Sequence, residues 1–401
     1  MSITSIDTLD DLKIYLNKNK FFSDLYIREL NNSLKGNAPN SNSYIYFLFK
    51  SLGFLTYHIL ITLRARVKIS DSKNIYLSPD FLFDEGLGFH RYWENLEKSI
   101  DLNQVEFLFF SNLKDRFFSK RKGKSNQIDS FFTLRSWFKL LKVSVKFQLL
   151  IFKIYFEFLI GRLKSVRLIK NIFNLGSLND YFIYYLLNDF SNYKDVRNKK
   201  ITLIGEFQFW ELGLFESNSK KRFLYQHSGI RFNDPRIQFF ILKNKKLNIL
   251  VTSDLEKDYL QKVGFENVLL INPYRNNDPW INAGKSSAKQ VFFGSLDKEL
   301  DMEIFERLKG NVLYKPHPTL ESLFYNFKYK WNNLDEKIYP IVYSQSAISK
   351  NLLDSRVDFK VIFKKNFDMS LIHLKTFIEN SNSYNSIIFN DYYLQEISPR
   401  K

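Results

Sequence analysis

The 401-residue sequence contains no cysteine, five histidines, nine prolines and 14 glycines. Without cysteine there is no disulfide framework, no thiolate nucleophile, no iron–sulfur centre and no zinc site built on sulfur. So few histidines leave little for a polyhistidine metal centre, and no metal is expected. No export signal is expected either, since the first twenty residues carry three aspartates and no apolar core of the required length. A cytoplasmic location is the expectation. Two apolar stretches fall short of membrane spans. Residues 44–63 contain Lys50 and His58, and residues 149–160 are too few and are interrupted by Lys153 and Glu157. Both read as buried helices of a larger α/β protein.

Against these absences stand 59 Lys and Arg, 42 Asp and Glu, a net charge of +17, and 45% hydrophobic residues. That balance excludes intrinsic disorder, and the length favours two domains over a single core. Bases alternate with aromatics over residues 114–124 and on through Lys139, Lys142 and Lys146. Such a run suits an anionic membrane surface, which would make the protein peripheral on the inner face of the plasma membrane. No RNA-recognition, helix-turn-helix or zinc-finger pattern is present, so nucleic acid is not an expected partner.

A capping-box variant opens a helix at Thr8, with Asp11 at its third position. Residues 74–77 and 105–110 are continuous apolar runs of strand length, and long apolar-periodic segments fill 131–172. From Ile201 the rhythm changes. Short apolar runs at 201–206, 222–227, 248–253, 267–272, 290–295, 311–316 and 338–344 alternate with helical segments. This spacing predicts an α/β protein with two doubly wound units, separated by the polar stretch 275–289. The expected domains are 1–287 and 288–401. Ligands of such sheets bind beyond the carboxyl ends of the strands, so polar residues there are the candidates.

Three such places lie in the second unit. Lys315-Pro316-His317-Pro318 follows a strand, and its prolines turn the chain out of the sheet with Lys315 and His317 displayed, suiting a phosphate leaving group. Ser344 and Ser346 end a strand and open a helix, where hydroxyls and free N–H groups bind anions. Together with the Lys and His they read as phosphate ligands on neighbouring loops, and Gly294-Ser295 adds a third loop. In the first unit Glu206, His227 and Asp234 follow adjacent strands as candidate acid, base or nucleophile. Arg231 and Arg236 suit an anionic sugar or support a carboxylate, and Glu211 reads as a helix-dipole partner. A weaker polar-aromatic loop runs from Asp84-Glu85-Gly86 to His90-Arg91-Tyr92-Trp93.

The Lys-Pro-His-Pro segment and the later Ser-x-Ser resemble motifs of transferases that use CMP-activated acidic sugars, the sialyltransferases and Kdo transferases. The segments 205–215 and 225–236 resemble first-domain motifs of O-antigen and capsule proteins, including the retaining β-Kdo transferases. The resemblance covers roughly 201–354 and implies a GT-B glycosyltransferase, two Rossmann-like domains facing a central cleft, with a helix-rich N-terminal half. It implies transfer of Kdo or a related acidic sugar from a CMP-linked donor to a lipid-linked lipopolysaccharide, O-antigen or capsule glycan. It implies that Lys315, His317 and the serines bind the CMP phosphate without a metal, and that Asp234 is a carboxylate nucleophile. The Asp84 motif is similar to the acidic motif supplying the sialyltransferase base, but its surroundings depart from that pattern. The same His-Pro logic occurs in CDP-glycerol-type polyol-phosphate transferases, and a non-catalytic basic membrane-docking scaffold is the alternative outside enzymes.

Overall fold

The structure is a computed structural model that describes residues 69–79, 105–110, 127–162, 175–216, 221–227, 229–271, 289–295, 297–308, 311–324, 327–331, 338–354, 356–365, 370–379, 386–389 and 391–398. The helix expected at Thr8, the apolar stretch 44–63, the loop 84–93, the basic run 114–124 and the polar stretch 275–288 lie outside these residues.

Two six-stranded sheets organise the chain. The first comprises β1 (Asn74–Pro79), β2 (Val105–Phe110), β3 (Lys200–Gly205), β4 (Arg222–Gln226), β5 (Asn248–Val251) and β6 (Asn267–Leu270). All its pairings are parallel, in the order β2-β1-β3-β4-β5-β6. A parallel strand has both faces covered, which explains why β1 and β3 are continuous apolar runs rather than alternating ones. The second sheet comprises β7 (Lys289–Phe293), β8 (Val312–Lys315), β9 (Ile338–Tyr343), β10 (Phe359–Lys364), β11 (Ser386–Phe389) and β12 (Tyr392–Ile397). Its order is β11-β12-β10-β9-β7-β8, and β12 runs antiparallel to both of its neighbours. The expectation of a wholly parallel second unit therefore gives way to a parallel sheet closed by an antiparallel hairpin edge. The two strands of that hairpin need no crossover helix, so residues 390 and 391 suffice to separate them in the chain.

The described helices are α1 (Leu134–Leu159), α2 (Leu175–Asn192), α3 (Pro235–Asn244), α4 (Asp254–Val263), α5 (Lys298–Arg307), α6 (Ala347–Asp354) and α7 (Ile372–Glu379). Four of their starts have a clear chemical cause. Thr133, Ser253 and Asp297 accept the N–H three residues on, and Asp234 accepts that of Arg236, so each satisfies a donor that the first turn leaves open. Helix α2 ends on Arg222 from β4. The buried guanidinium donates to the Ser191 hydroxyl and carbonyl at 2.8 and 2.9 Å and to the Lys199 carbonyl at 2.7 Å. Burial lowers the Arg222 pKa to about 10, and the Ser191 carbonyl, in the last turn at the negative end of the helix, helps compensate the cation.

Both sheets place their first strand between the second and the third, so the chain direction across the sheet reverses between β1 and β3 and again between β7 and β9. Such a reversal opens a crevice at the carboxyl ends of the strands. In the second sheet a single carboxylate shapes this crevice. Asp301, from α5, is fully buried and accepts from the Ser295 N–H (2.8 Å), the Ser295 hydroxyl (2.9 Å), Tyr314 of β8 (2.8 Å) and Tyr343 of β9 (2.8 Å). Four donors fill an ionised carboxylate's acceptor capacity. Burial pushes the Asp301 pKa up while these bonds pull it back, and burial beside the carboxylate raises both tyrosines. Gly294 must be glycine for this contact, because a Cβ there would lie 2.5 Å from Asp301 Oδ2 and would collide with the Tyr314 hydroxyl.

Removal of that carboxylate leaves several buried donors without an acceptor, each costing about 1–3 kcal/mol. Asp301→Ala is expected to lower stability by at least ~3 kcal/mol, with Asp301→Asn in between, read as shifts of the urea midpoint. A loss under ~0.5 kcal/mol for the alanine variant, the scale of an ordinary surface change, would show that the network does not hold the strand ends together.

Candidate functional site

The first sheet's reversal ends at Glu206, the residue after β3. His227 follows β4, the neighbouring strand, and parallel register brings the two side chains together with His227 Nε2 3.4 Å from Glu206 Oε1. The other ring nitrogen, Nδ1, lies 3.3 Å from the carbonyl oxygen of Gly205. A carbonyl only accepts, so the Nδ1 contact requires a hydrogen on Nδ1, which turns Nε2 toward the Glu206 carboxylate. The side chain of His227 is 9% exposed and that of Glu206 is 32% exposed. The carboxylate is thus the member of the pair that reaches solvent, with the imidazole braced behind it.

Behind both lies Glu211. In place of the expected helix-dipole partner, residues 209–215 form a tight 3-10 turn and the Glu211 carboxyl is fully buried. Its Oε1 accepts the Glu206 N–H at 2.8 Å, while Oε2 has no hydrogen-bond partner. Burial raises the Glu211 pKa to about 8, partly offset by the Glu206 and Gln208 N–H groups, with the Glu206 charge raising it further. Glu211 is therefore mostly a neutral acid at pH 7 that fixes the backbone of Glu206. Gly205 admits this approach, since a Cβ there would sit 2.7 Å from the Glu211 carboxyl carbon.

Asp234 is placed differently from the expected cleft-facing nucleophile. It is 3% exposed, caps α3 through the Arg236 N–H at 3.0 Å, and receives the Arg236 guanidinium on both carboxylate oxygens. A short loop before a helix makes Asp an N-cap first, and the adjacent arginine completes a bidentate pair. Arg231 stands between these groups. Burial lowers its pKa and the nearby Arg236 adds to that, while Glu206 and Asp234 oppose it. Its Nε donates to the Gln345 carbonyl at 3.3 Å, so the first sheet's loop reaches the Ser344-Gln345-Ser346 turn of the second.

That contact belongs to a wider seam. Phe232 donates to the Ser370 carbonyl at 2.7 Å and Ile372 to the Ile230 carbonyl at 3.0 Å, an antiparallel pairing around Arg231 and Leu371. Lys350 donates to the Thr252 hydroxyl at 2.8 Å, and Ser253 meets His373 at 2.9 Å. On the second-sheet side, Ser370, Leu371, Ile372 and His373 carry no sequence motif, because they join the seam through backbone atoms and one isolated imidazole.

The second-sheet candidates separate into two groups. Ser344 is buried, its hydroxyl 2.7 Å from that of Ser370 and its N–H bonded to Ile362. Ser346 is half-buried and caps α6 by accepting the Ile348 N–H at 3.3 Å. Lys315 and His317 do not lie on a loop neighbouring these serines. Lys315 ends β8, an edge strand, and His317 follows it, and β7 intervenes before β9, which separates them from the serines by two strand spacings or about 10 Å. Lys315 pairs with Glu321 at 3.1 Å, and Lys330 approaches the same oxygen at 3.4 Å. Burial lowers the His317 pKa, disfavouring its charged form. Gly294 and Ser295 lie between the two groups, but Ser295 is held by Asp301 and the Gly294 N–H donates to the Lys315 carbonyl at 2.9 Å. Among the described residues no three acidic or imidazole side chains are arranged to hold a metal ion.

The buried acid generates a pH dependence. Glu211 holds its proton in the folded state up to about pH 8, whereas the unfolded chain releases it near about pH 4.3. Between these values the folded state binds more protons, so stability falls as pH rises, and the full penalty is present above pH 8. Glu211→Gln removes this linkage. Between about pH 5 and pH 8.5 its stability relative to the parent should rise by a few kcal/mol, the parent losing ~1.4 kcal/mol for each pH step that the folded carboxyl stays protonated and the unfolded one does not. Denaturation curves at both pH values measure it, and a pH-independent difference would mean that Glu211 is ionised in the fold.

No family model, no curated protein and no solved structure matches this chain.

Proposed function

We propose that the protein is a glycosyltransferase of GT-B architecture that moves an acidic sugar from a CMP-linked donor to a hydroxyl of a glycan acceptor. The observation that carries this reading is the Glu206–His227 pair, partly exposed at the first sheet's reversal, with Arg231 reaching the turn at the second sheet's reversal. Two crevices facing one seam suit two substrates whose reacting atoms must meet. The donor type comes from the resemblance of the Lys-Pro-His-Pro and Ser-x-Ser segments to CMP-sugar transferases.

In this reading Glu206 is the base. It takes the acceptor's hydroxyl proton, and His227 shares that proton through Nε2. The acceptor oxygen forms a bond to the anomeric carbon as the bond from that carbon to the phosphate oxygen breaks, and CMP departs with the electron pair. Arg231 and the Ser346 turn at the start of α6 take the phosphate charge. His317 and Lys315, about 10 Å away across β7, lie within a nucleotide's length of the Ser346 turn and hold its nucleoside side. Asp234, with both oxygens on Arg236, caps its helix instead of attacking carbon. One displacement then suffices, and the anomeric configuration inverts.

Incubation with CMP-, CDP- and UDP-linked donors should release nucleotide from a CMP-linked acidic sugar in particular. Glu206→Gln should slow turnover by about 10²–10⁴ with donor binding kept, and NMR of the product should show inversion. Release from none of the donors would reject transferase activity. Retention together with a sugar adduct on Asp234 would restore the nucleophile route, and preferred use of a CDP-polyol would move the protein to polyol-phosphate transfer.

A further inference from the structure

Helix α1 presents an apolar face that the other described residues leave uncovered. Its first turns pack inward through Ser136, Leu140 and Val143, which are buried. Beyond Val143 none of its described side chains is buried. Leu134, Phe138, Val145, Leu149, Phe152, Phe156 and Leu159 are all exposed, Phe152 at 67% and Leu159 at 78%. They recur at spacings of three, four or seven residues, which at 100° per residue gathers them into one stripe about 80° wide. The buried Ser136, Leu140 and Val143 lie on the opposite side. This overturns the expectation that residues 149–160 form a buried helix. The apolar periodicity is real, but it describes an outward face.

The stripe has a charged border. Arg135, Lys142, Lys146 and Lys153 fall within about 40° of one another along one edge of it, and the helix as a whole carries five bases and one acid, Glu157. We infer that α1 lies flat on an anionic phospholipid surface, with its Phe and Leu side chains in the headgroup–acyl boundary and its basic edge on lipid phosphates. Two observations select this occupant. A second copy of the helix would meet five cations with a single carboxylate, so self-pairing leaves the basic edge uncompensated. No described helix, α1 included, is long and apolar enough to cross a membrane, whereas one apolar stripe edged with bases suits a helix lying in the interface plane. The basic-aromatic attachment expected from residues 114–146 is thereby extended along the helix to its end. The inference is independent of the transferase reading, because binding is read without donor or acceptor.

The test is sedimentation of the full chain with vesicles of phosphatidylcholine alone or with about 30% phosphatidylglycerol, an anionic fraction chosen to emphasise electrostatic attraction. At low salt the protein should partition onto the anionic vesicles at least tenfold more strongly than onto neutral ones, and about 0.5 M salt should reverse most of that gain. Phe152→Ser with Phe156→Ser, and separately Lys142→Glu with Lys153→Glu, should each weaken binding tenfold or more. All four positions are exposed, and unchanged circular dichroism and urea midpoints would verify folding. Absence of vesicle binding, or undiminished binding by both double variants, overturns the proposal. A concentration-dependent dimer in sedimentation velocity that the Phe152→Ser, Phe156→Ser variant abolishes also overturns it, in favour of a second copy on the stripe.

Discussion

The site depends on one short backbone pairing. Residues 230–232, after β4, run antiparallel to 370–372, and the Phe232–Ser370 and Ile372–Ile230 hydrogen bonds bracket Arg231. These bonds require no particular side chain, yet they fix where the Arg231 guanidinium emerges between the two sheets. Without them the Glu206–His227 pair and the Ser346 turn belong to separate crevices. With them the two crevices share one cation. Lys350 on Thr252 and His373 beside Ser253 add side-chain contacts to the same seam.

Three buried carboxyls illustrate how environment assigns role. Asp301 has four donors and serves as a junction for three strand ends. Asp234 is covered by its own helix N-terminus and by Arg236, so its charge is compensated where it stands. Glu211 receives the N–H of Glu206 on one oxygen and no hydrogen bond on the other, and burial keeps it largely protonated at neutral pH. Glu206, by contrast, combines an acid group with substantial exposure and an imidazole partner. Of these four carboxyl groups, Glu206 is the one whose neighbours leave it open to solvent.

Helix α1 shows a second way in which burial decides meaning. Both of its long faces carry apolar side chains, and only the inner one, around Leu140 and Val143, meets the core of the first sheet. The outer one carries its basic edge into solvent. Hydrophobic periodicity alone gives a helix two apolar faces without saying what covers either.

Sequence alone determined nine of the twelve described strands, because a parallel strand packed within a sheet reads as a continuous apolar run, and β1 to β9 follow such runs with edges within two residues of expectation, whereas β10, β11 and β12 were not read from it. It also determined which polar residues sit at strand ends, since the chain must leave a sheet where the apolar run stops: Glu206, His227, Gly294, Lys315 and Ser344 all lie at or beside those ends. The order of strands across a sheet was not legible, because each strand is compatible with any neighbour of matching length. That order put β7 between His317 and Ser346 and gave Glu206 its place at the reversal. Tertiary structure likewise decided which carboxylates are engaged. Asp234 and Glu211 differ from Glu206 by hydrogen bonds and solvent exposure, and those quantities come into being only when distant segments pack.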